Sequence, residues 1–286
     1  MNKKLVNVAK KIERYTPPFL YDILWIIFEK IRFFLYSEKN ILKKNKNLKD
    51  TWKGKRAFLL ATWPSIKSED LKQLTWEDCF SISNFFLHED INTIKPKFHF
   101  FAPYHQPLIL ENFIEWLNNA HKILPKETKI FLWHTDEKYV KEYNLFPGRE
   151  IFYLYLSPFP SKSKVDITEP VLAPQTWPLM ILPVLIYMWY KEIYLLGCDH
   201  NILKDYKKTV TNFYDKSKEI RKNSTDWKMR SNIINEFESN LNVFYQYDFY
   251  KKIIKKYKTK IINLSSDSRL DIFEFKKLNS LFTHKN

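Results

Sequence analysis

The sequence predicts an α/β fold with a mainly parallel sheet, and three observations carry that expectation. Short apolar runs of strand length alternate with segments of helical spacing. Polar residues recur just after those runs: Thr62 and Ser65, Asn84, Tyr104 and His105, His134, Asp199 and His200. Residues 176–203 read as a buried helix, a tight turn at Tyr190-Lys191-Glu192, and a buried strand at Ile193–Leu196. That last run is too short for a helix and apolar throughout, as suits a parallel strand covered on both faces. Gly197-Cys198-Asp199-His200 then falls at the carboxyl end of the strand, where open α/β sheets bind their ligands.

In chain order, residues 1–54 read as an appendage and linker. Lys3, Lys4, Lys10, Lys11 and Arg14 make its start basic. Leu20, Ile23, Leu24, Ile27, Phe28, Ile31 and Phe34 then fall on one face of a helix over 19–36. Asp22, Glu29, Lys30 and Arg32 interrupt it, which argues against a membrane span. The spacing fits a helix lying in an anionic membrane interface through 1–40, or one docked on the main domain. Residues 41–55, rich in Lys and Asn, read as a solvated linker.

The main domain is expected over 55–286. Its strands are Arg56–Leu60, Phe80–Phe85, Phe98–Ala102, Lys129–Trp133, Ile151–Leu156, Ile193–Leu196 and Lys260–Leu264. Helices are expected over 108–121, over Trp177–Trp189 with a kink at Pro183, and over 229–257. The polar, basic stretch 204–228 reads as a candidate lid or a solvated surface. Residues 265–273 read as a turn into a short helix. One edge of one sheet would then gather the polar residues named above, the expected place for a nucleotide-type ligand in a Rossmann-like sheet.

Composition bounds the chemistry. The 286 residues are 45% hydrophobic and 17% aromatic, enough for a large core. A net charge of +15 points to acidic partners: nucleic acid, an anionic membrane or phosphorylated substrates. The Lys, Asn and Ile abundance also fits an AT-rich genome, so no nucleic-acid partner is expected. Three glycines, Gly54, Gly148 and Gly197, leave no glycine-rich phosphate loop, excluding a Walker loop and an ordinary dinucleotide fingerprint. Cys79 and Cys198 imply neither a disulfide framework nor a zinc site. The first apolar run begins late and carries acids, unlike a secretory leader, so a cytoplasmic protein is expected.

Four segments, in order, resemble the bacterial sialyltransferases that decorate lipooligosaccharide (glycosyltransferase family 42) and related enzymes of surface-polysaccharide loci. Ala61-Thr62-Trp63-Pro64-Ser65-Ile66 stands where that family has G-N-G-P-S-L. Phe80–Phe86 is similar to a strand ending in a nucleotide-contacting Asn, matched by Asn84. Thr176 to Asp199 is the most specific segment. Asp267-Ser268-Arg269-Leu270-Asp271-Ile272-Phe273 is similar to N-S-L-L-x-x-F. The departures are substantial: Trp63, Trp177 and Trp189 replace Gly, Ser and Gly, and Ala102 replaces a second nucleotide-site Asn. No His stands near 241–245, where the family has its catalytic one.

The resemblance implies a GT-A-like sialyltransferase variant of the α/β fold that needs no metal or other cofactor; with the amphipathic stretch of 1–40, a membrane-associated enzyme is expected. A CMP-linked sialic acid or similar acidic keto-sugar would be the donor, and a glycan or glycolipid the acceptor. Thr62, Ser65, Asn84, Thr176, Asp199 and Ser268 would bind nucleotide, and Tyr206 would support the leaving phosphate. His200 is the nearest imidazole to Asp199 and the expected general base, with His105 and His134 behind it. Two other readings stand beside it: a pterin-diphosphokinase-like or flagellin-modifying relative, which shares the strand-turn pattern, and a catalytically degenerate relative acting as a binding protein, which the lost catalytic positions favour.

Overall fold

A computed structural model describes residues 18–36, 39–158, 164–201, 212–222, 232–266 and 268–282. Its strands are β1 (Arg56–Leu60), β2 (Asp78–Ile82), β3 (Phe98–Phe100), β4 (Lys129–Trp133) and β5 (Ile151–Leu154). They continue with β6 (Leu156–Ser157), β7 (Val171–Leu172), β8 (Glu192–Leu196), β9 (Lys260–Asn263) and β10 (Glu274–Phe275). The α-helices are α1 (Pro18–Leu35), α2 (Asn40–Lys43), α3 (Ile91–Ile94), α4 (Leu110–Ile123), α5 (Glu137–Glu142), α6 (Leu182–Tyr187) and α7 (Ile233–Ile253).

Eight strands form one sheet in the order β10-β9-β8-β1-β2-β3-β4-β5, and every pairing in it is parallel. The chain starts in the middle at β1, winds outward to β5, and returns to the other side of β1 with β8. The sheet's direction of growth therefore reverses between β1 and β8, the crevice position in such folds. Successive residues of a strand enter opposite layers. Ala57 and Leu59 belong to one buried cluster, and Phe58 and Leu60 to the other. This is why the strands read as unbroken apolar runs and not as alternating ones.

Several boundaries differ from the sequence reading. The expected helix over 177–189 is a 3-10 turn at Trp177–Met180 followed by α6. Pro183 has no N–H to donate and sits in the first turn of α6, where none is needed, so it starts the helix instead of kinking it. The chain leaves α6 through Trp189, at φ +65°. The second strand stops at Ile82 because Ser83 adopts φ +58°, and Asn84 lies in a 3-10 turn, Ser83–Leu87. The described residues of 265–273 form no helix; Asn263 Nδ2 donates to the Leu270 carbonyl and ties the loop down before β10. Residues 41–55 keep most of their lysines exposed but are anchored on the sheet: Leu42 and Leu48 are buried, and the buried Asn45 donates to the Tyr153 and Ile167 carbonyls.

α1 turns a mixed side to the protein, with Phe33 packed against the core and Glu29 buried. Glu29 and Arg32 face the protein: Glu29 accepts from Ser157 Oγ, and Arg32 Nε donates to the Tyr155 hydroxyl. Ile23, Leu24, Ile27, Phe28, Ile31 and Phe34 face outward, with Ile27 48% and Phe34 76% exposed. Among the described residues, no helix is long and apolar enough to cross a membrane. The buried stripe of α7 is Val243, Tyr247, Tyr250 and Ile253, while Ile233, Phe237 and Leu241 of its first half are exposed.

Candidate active site

The carboxyl edge of the sheet gathers the polar residues as the sequence predicts, but in two groups. At the crevice, the loop after β1 meets the loop after β8. Gly197 makes this approach possible: at φ +65°, a Cβ there would lie 2.8 Å from the Ala61 carbonyl oxygen. The Trp63 N–H donates to the Gly197 carbonyl at 3.3 Å. The Asp199 carboxylate accepts from the Ser65 backbone N–H at 3.0 Å and from Ser65 Oγ. That anion caps the 3-10 turn Pro64–Ser68, whose first N–H groups have no partner inside the turn. Ser268 Oγ donates to the Cys198 carbonyl, and the Arg269 N–H to that of Asp199. The Ser65–Asp199 bonds join the loop after β1 to the loop after β8, and the Ser268–Cys198 bond ties the loop after β9 to the same place.

His200 is only 5% exposed and is enclosed by Trp63 and Tyr247. Its Nε2 lies 2.8 Å from the Tyr247 hydroxyl, and burial pushes its pKa down to about 4. His134 is stacked on Tyr155 at 4.0 Å and is likewise lowered to about 4 by burial. Thr176 precedes the Trp177–Met180 turn. Tyr206 lies outside the described residues, as do 204–211 and 223–228 of the candidate lid.

The second group surrounds a cleft of about 250 Å³ lined by Ala102, His105, Trp116, Trp177, Glu219 and Arg221. Residues 212–222 cross the sheet edge beside it. The Phe213 N–H donates to the Thr62 carbonyl, and the Ile109 N–H donates to the Lys222 carbonyl. Asn84 is fully buried at the base, accepting from Trp116 Nε1 and donating to Glu219 Oε2 at 2.9 Å. Ala102, the position that replaces a nucleotide-site Asn in the family pattern, lines this same cleft. His105 is the exposed imidazole of the cleft, with Nδ1 3.1 Å from the Pro103 carbonyl. The cleft thus offers an indole face, a guanidinium and an imidazole at the ligand-binding edge of a parallel sheet.

Three groups escaped the sequence reading. Glu219 and Arg221 sit in a run read only as basic; the signal was an acid two places before an Arg among lysines. Asp136 is 1% exposed, and burial raises its carboxyl to about 7. Its Oδ1 accepts from the Tyr104 N–H, and its Oδ2 has no hydrogen-bond partner. Among the described residues, no group of three His, Cys, Asp or Glu is placed to hold a metal ion.

No family model matches the sequence, and no curated protein does. The chain is similar to the sialyltransferase CstII from Campylobacter jejuni in complex with a substrate analogue, cytidine-5'-monophosphate. Identity is 18% over 79% of this chain and 86% of that chain, with a TM-score of 0.41. For the monofunctional α-2,3-sialyltransferase Cst-I from Campylobacter jejuni the figures are 19%, 77% and 79%, with a TM-score of 0.44. A mutant of the α-2,3/8-sialyltransferase CstII gives 21%, 77% and 86%, with a TM-score of 0.41.

Proposed function

We propose that the protein is a metal-independent glycosyltransferase that moves a sugar from a CMP-linked donor, sialic acid or a similar acidic keto-sugar, onto a surface glycan such as lipooligosaccharide or capsule. The observation that carries this is the cleft at the carboxyl edge of the sheet, where Trp177, Arg221 and His105 stand together. An indole face suits a base or sugar ring, a guanidinium suits a phosphate or carboxylate, and an imidazole suits a hydroxyl proton. The choice of cytidine follows the four ordered segments of the sequence.

In this reading Thr62, Ser65, Asn84, Thr176, Asp199 and Ser268 form the nucleotide side of the site. Ser65, Asp199 and Ser268 act by fixing the loops after β1 and β8. Tyr206 keeps its sequence-based role at the leaving phosphate. An acceptor hydroxyl attacks the anomeric carbon of the donor while its proton passes to the base. The bond from that carbon to the phosphate oxygen breaks, and CMP leaves with the electron pair. His105 is better placed as the base than His200, because it is exposed on the cleft while His200 is enclosed.

The protein would work on the inner face of the cytoplasmic membrane. The outward apolar face of α1 supports this, together with the basic residues of 1–14. The decisive assay is CMP release from CMP-sialic acid in the presence of EDTA, with a lipooligosaccharide acceptor. We expect His105→Ala to lower turnover about 10²–10⁴-fold, the usual worth of a general base. Stabilisation by ATP with magnesium and none by cytidine nucleotides would reject the donor. Cytidine binding without turnover would support the degenerate, ligand-binding reading instead.

A further inference from the structure

At the sheet edge the Glu219 carboxylate accepts five hydrogen bonds. Asn84 Nδ2 donates to Oε2 at 2.9 Å, and the Tyr214 hydroxyl to the same oxygen at 3.1 Å. Arg221 donates three times: Nε to Oε1 at 2.8 Å, its backbone N–H to Oε1 at 3.1 Å, and Nη2 to Oε2 at 2.7 Å. The guanidinium also lies over the Trp116 ring, 4.2 Å from its centroid, which restrains it from the side opposite solvent. Burial opposes the charge on Glu219, yet the hydrogen bonds from Arg221 hold its carboxyl below the ordinary value. Glu219 and Arg221 both line the cleft, so the carboxylate that collects these donors borders a space that a ligand can enter.

We infer that Asn84, Tyr214 and Arg221 form an anion subsite of the cleft, in which the Glu219 carboxylate holds the place of an anionic group on the ligand. A carboxylate and a phosphate oxygen take the same fork-shaped donors, and Arg is the side chain built for either. The ligand's anion replaces Glu219, and the displaced side chain turns to solvent. Affinity for such ligands is then reduced by the fraction of molecules in which Glu219 holds the site. The subsite also selects: a neutral nucleoside has nothing to offer these donors, and leaves Glu219 where it is. As to the identity of its ligand, this inference rests on the donor reading above.

The test is calorimetric titration of the full chain with four probes: inorganic pyrophosphate, N-acetylneuraminate, cytidine 5′-monophosphate and cytidine. Glu219→Gln keeps the shape and removes the charge; Arg221→Met keeps the stem over Trp116 and removes the fork. Arg221→Lys, which keeps the charge without the fork, serves should the methionine variant melt well below wild type. Glu219→Gln is expected to bind the subsite's anion about tenfold more tightly, while Arg221→Met binds it about tenfold less tightly or not at all. Cytidine affinity is expected to stay the same in both variants. Whether pyrophosphate or N-acetylneuraminate shows the gain identifies phosphate or carboxylate as the natural group. Glu219→Gln with unchanged or weaker affinity for both free anions overturns the subsite. Cytidine monophosphate binding that persists in that case leaves the donor reading standing. A gain with free anions but no nucleotide binding keeps the subsite and rejects the donor.

Discussion

At the scale of single residues, the two halves of the Asp199-His200 pair do different work. Asp199 is a structural anion whose carboxylate accepts both the N–H and the hydroxyl of Ser65. Asp199→Ala should lower stability by about 1–3 kcal/mol, because it removes the acceptor from two half-buried donors, and should weaken nucleotide binding as the turn loosens. Urea denaturation and a cytidine monophosphate titration measure the two effects; unchanged stability would show that the turn holds without its cap. His200→Ala should lower stability more than turnover, whereas His105→Ala should lower turnover and leave stability close to wild type. The pair itself was legible in the sequence, as titratable residues at the end of an apolar strand. Its division of labour was not, because only the fold shows that Trp63 and Tyr247 close over His200. Asp136 was invisible for the same reason: nothing local tells an Asp after a strand that its oxygens will be buried. Its carboxyl is raised to about 7 in the folded chain, so this group's contribution falls as pH rises from about 4 to 7. Asp136→Asn should therefore be more stable than wild type at pH 8, by a few kcal/mol at most, and this advantage should vanish at pH 4.

At the scale of elements, the parallel strands were readable because both faces are covered and every position is apolar. Strand ends were less so: Ser83 enters the left-handed region at a point where the local pattern still reads as strand. The helix over 177–189 was overread for a related reason. Two prolines cut it into a 3-10 turn and the short α6, and burial of the whole stretch conceals the break. The end of β8 is the least tolerant joint. Gly197→Ala should cost about 2–4 kcal/mol, from the left-handed backbone and from crowding against the Ala61 carbonyl. A thermal melt close to wild type would show that β1 and β8 can separate at their ends without loss. For α1, replacing Ile27, Ile31 and Phe34 by Ser should leave the melting temperature unchanged, since all three are exposed. Binding to anionic vesicles should drop more than about tenfold, each large apolar side chain being worth about 1.5–3 kcal/mol in an apolar medium. Co-sedimentation of the triple variant equal to wild type would move the membrane contact away from this face.

At the scale of the whole molecule, the sheet edge is assembled from distant stretches of sequence. Loops after β1, β2 and β3 meet residues 212–222, and no local pattern could foretell that Glu219 would bond Asn84 or that Arg221 would lie over Trp116. The same burial that builds the core sets the response to acid. His99, His134 and His200 are lowered to about 3, 4 and 4 by burial, so the folded chain binds fewer protons than the unfolded one below pH 6.5. Stability should fall as pH drops from about 6.5 towards 4, partly offset by Asp136, and urea midpoints across that range check it. The central claim, a metal-independent cytidine nucleotide site in the cleft, is tested most directly by titrating cytidine 5′-monophosphate into the full chain in EDTA and repeating this with Trp177→Ala. We predict saturable binding to wild type that survives EDTA and weakens in the variant. Absence of binding, or binding that requires magnesium and accepts ATP equally well, would contradict it.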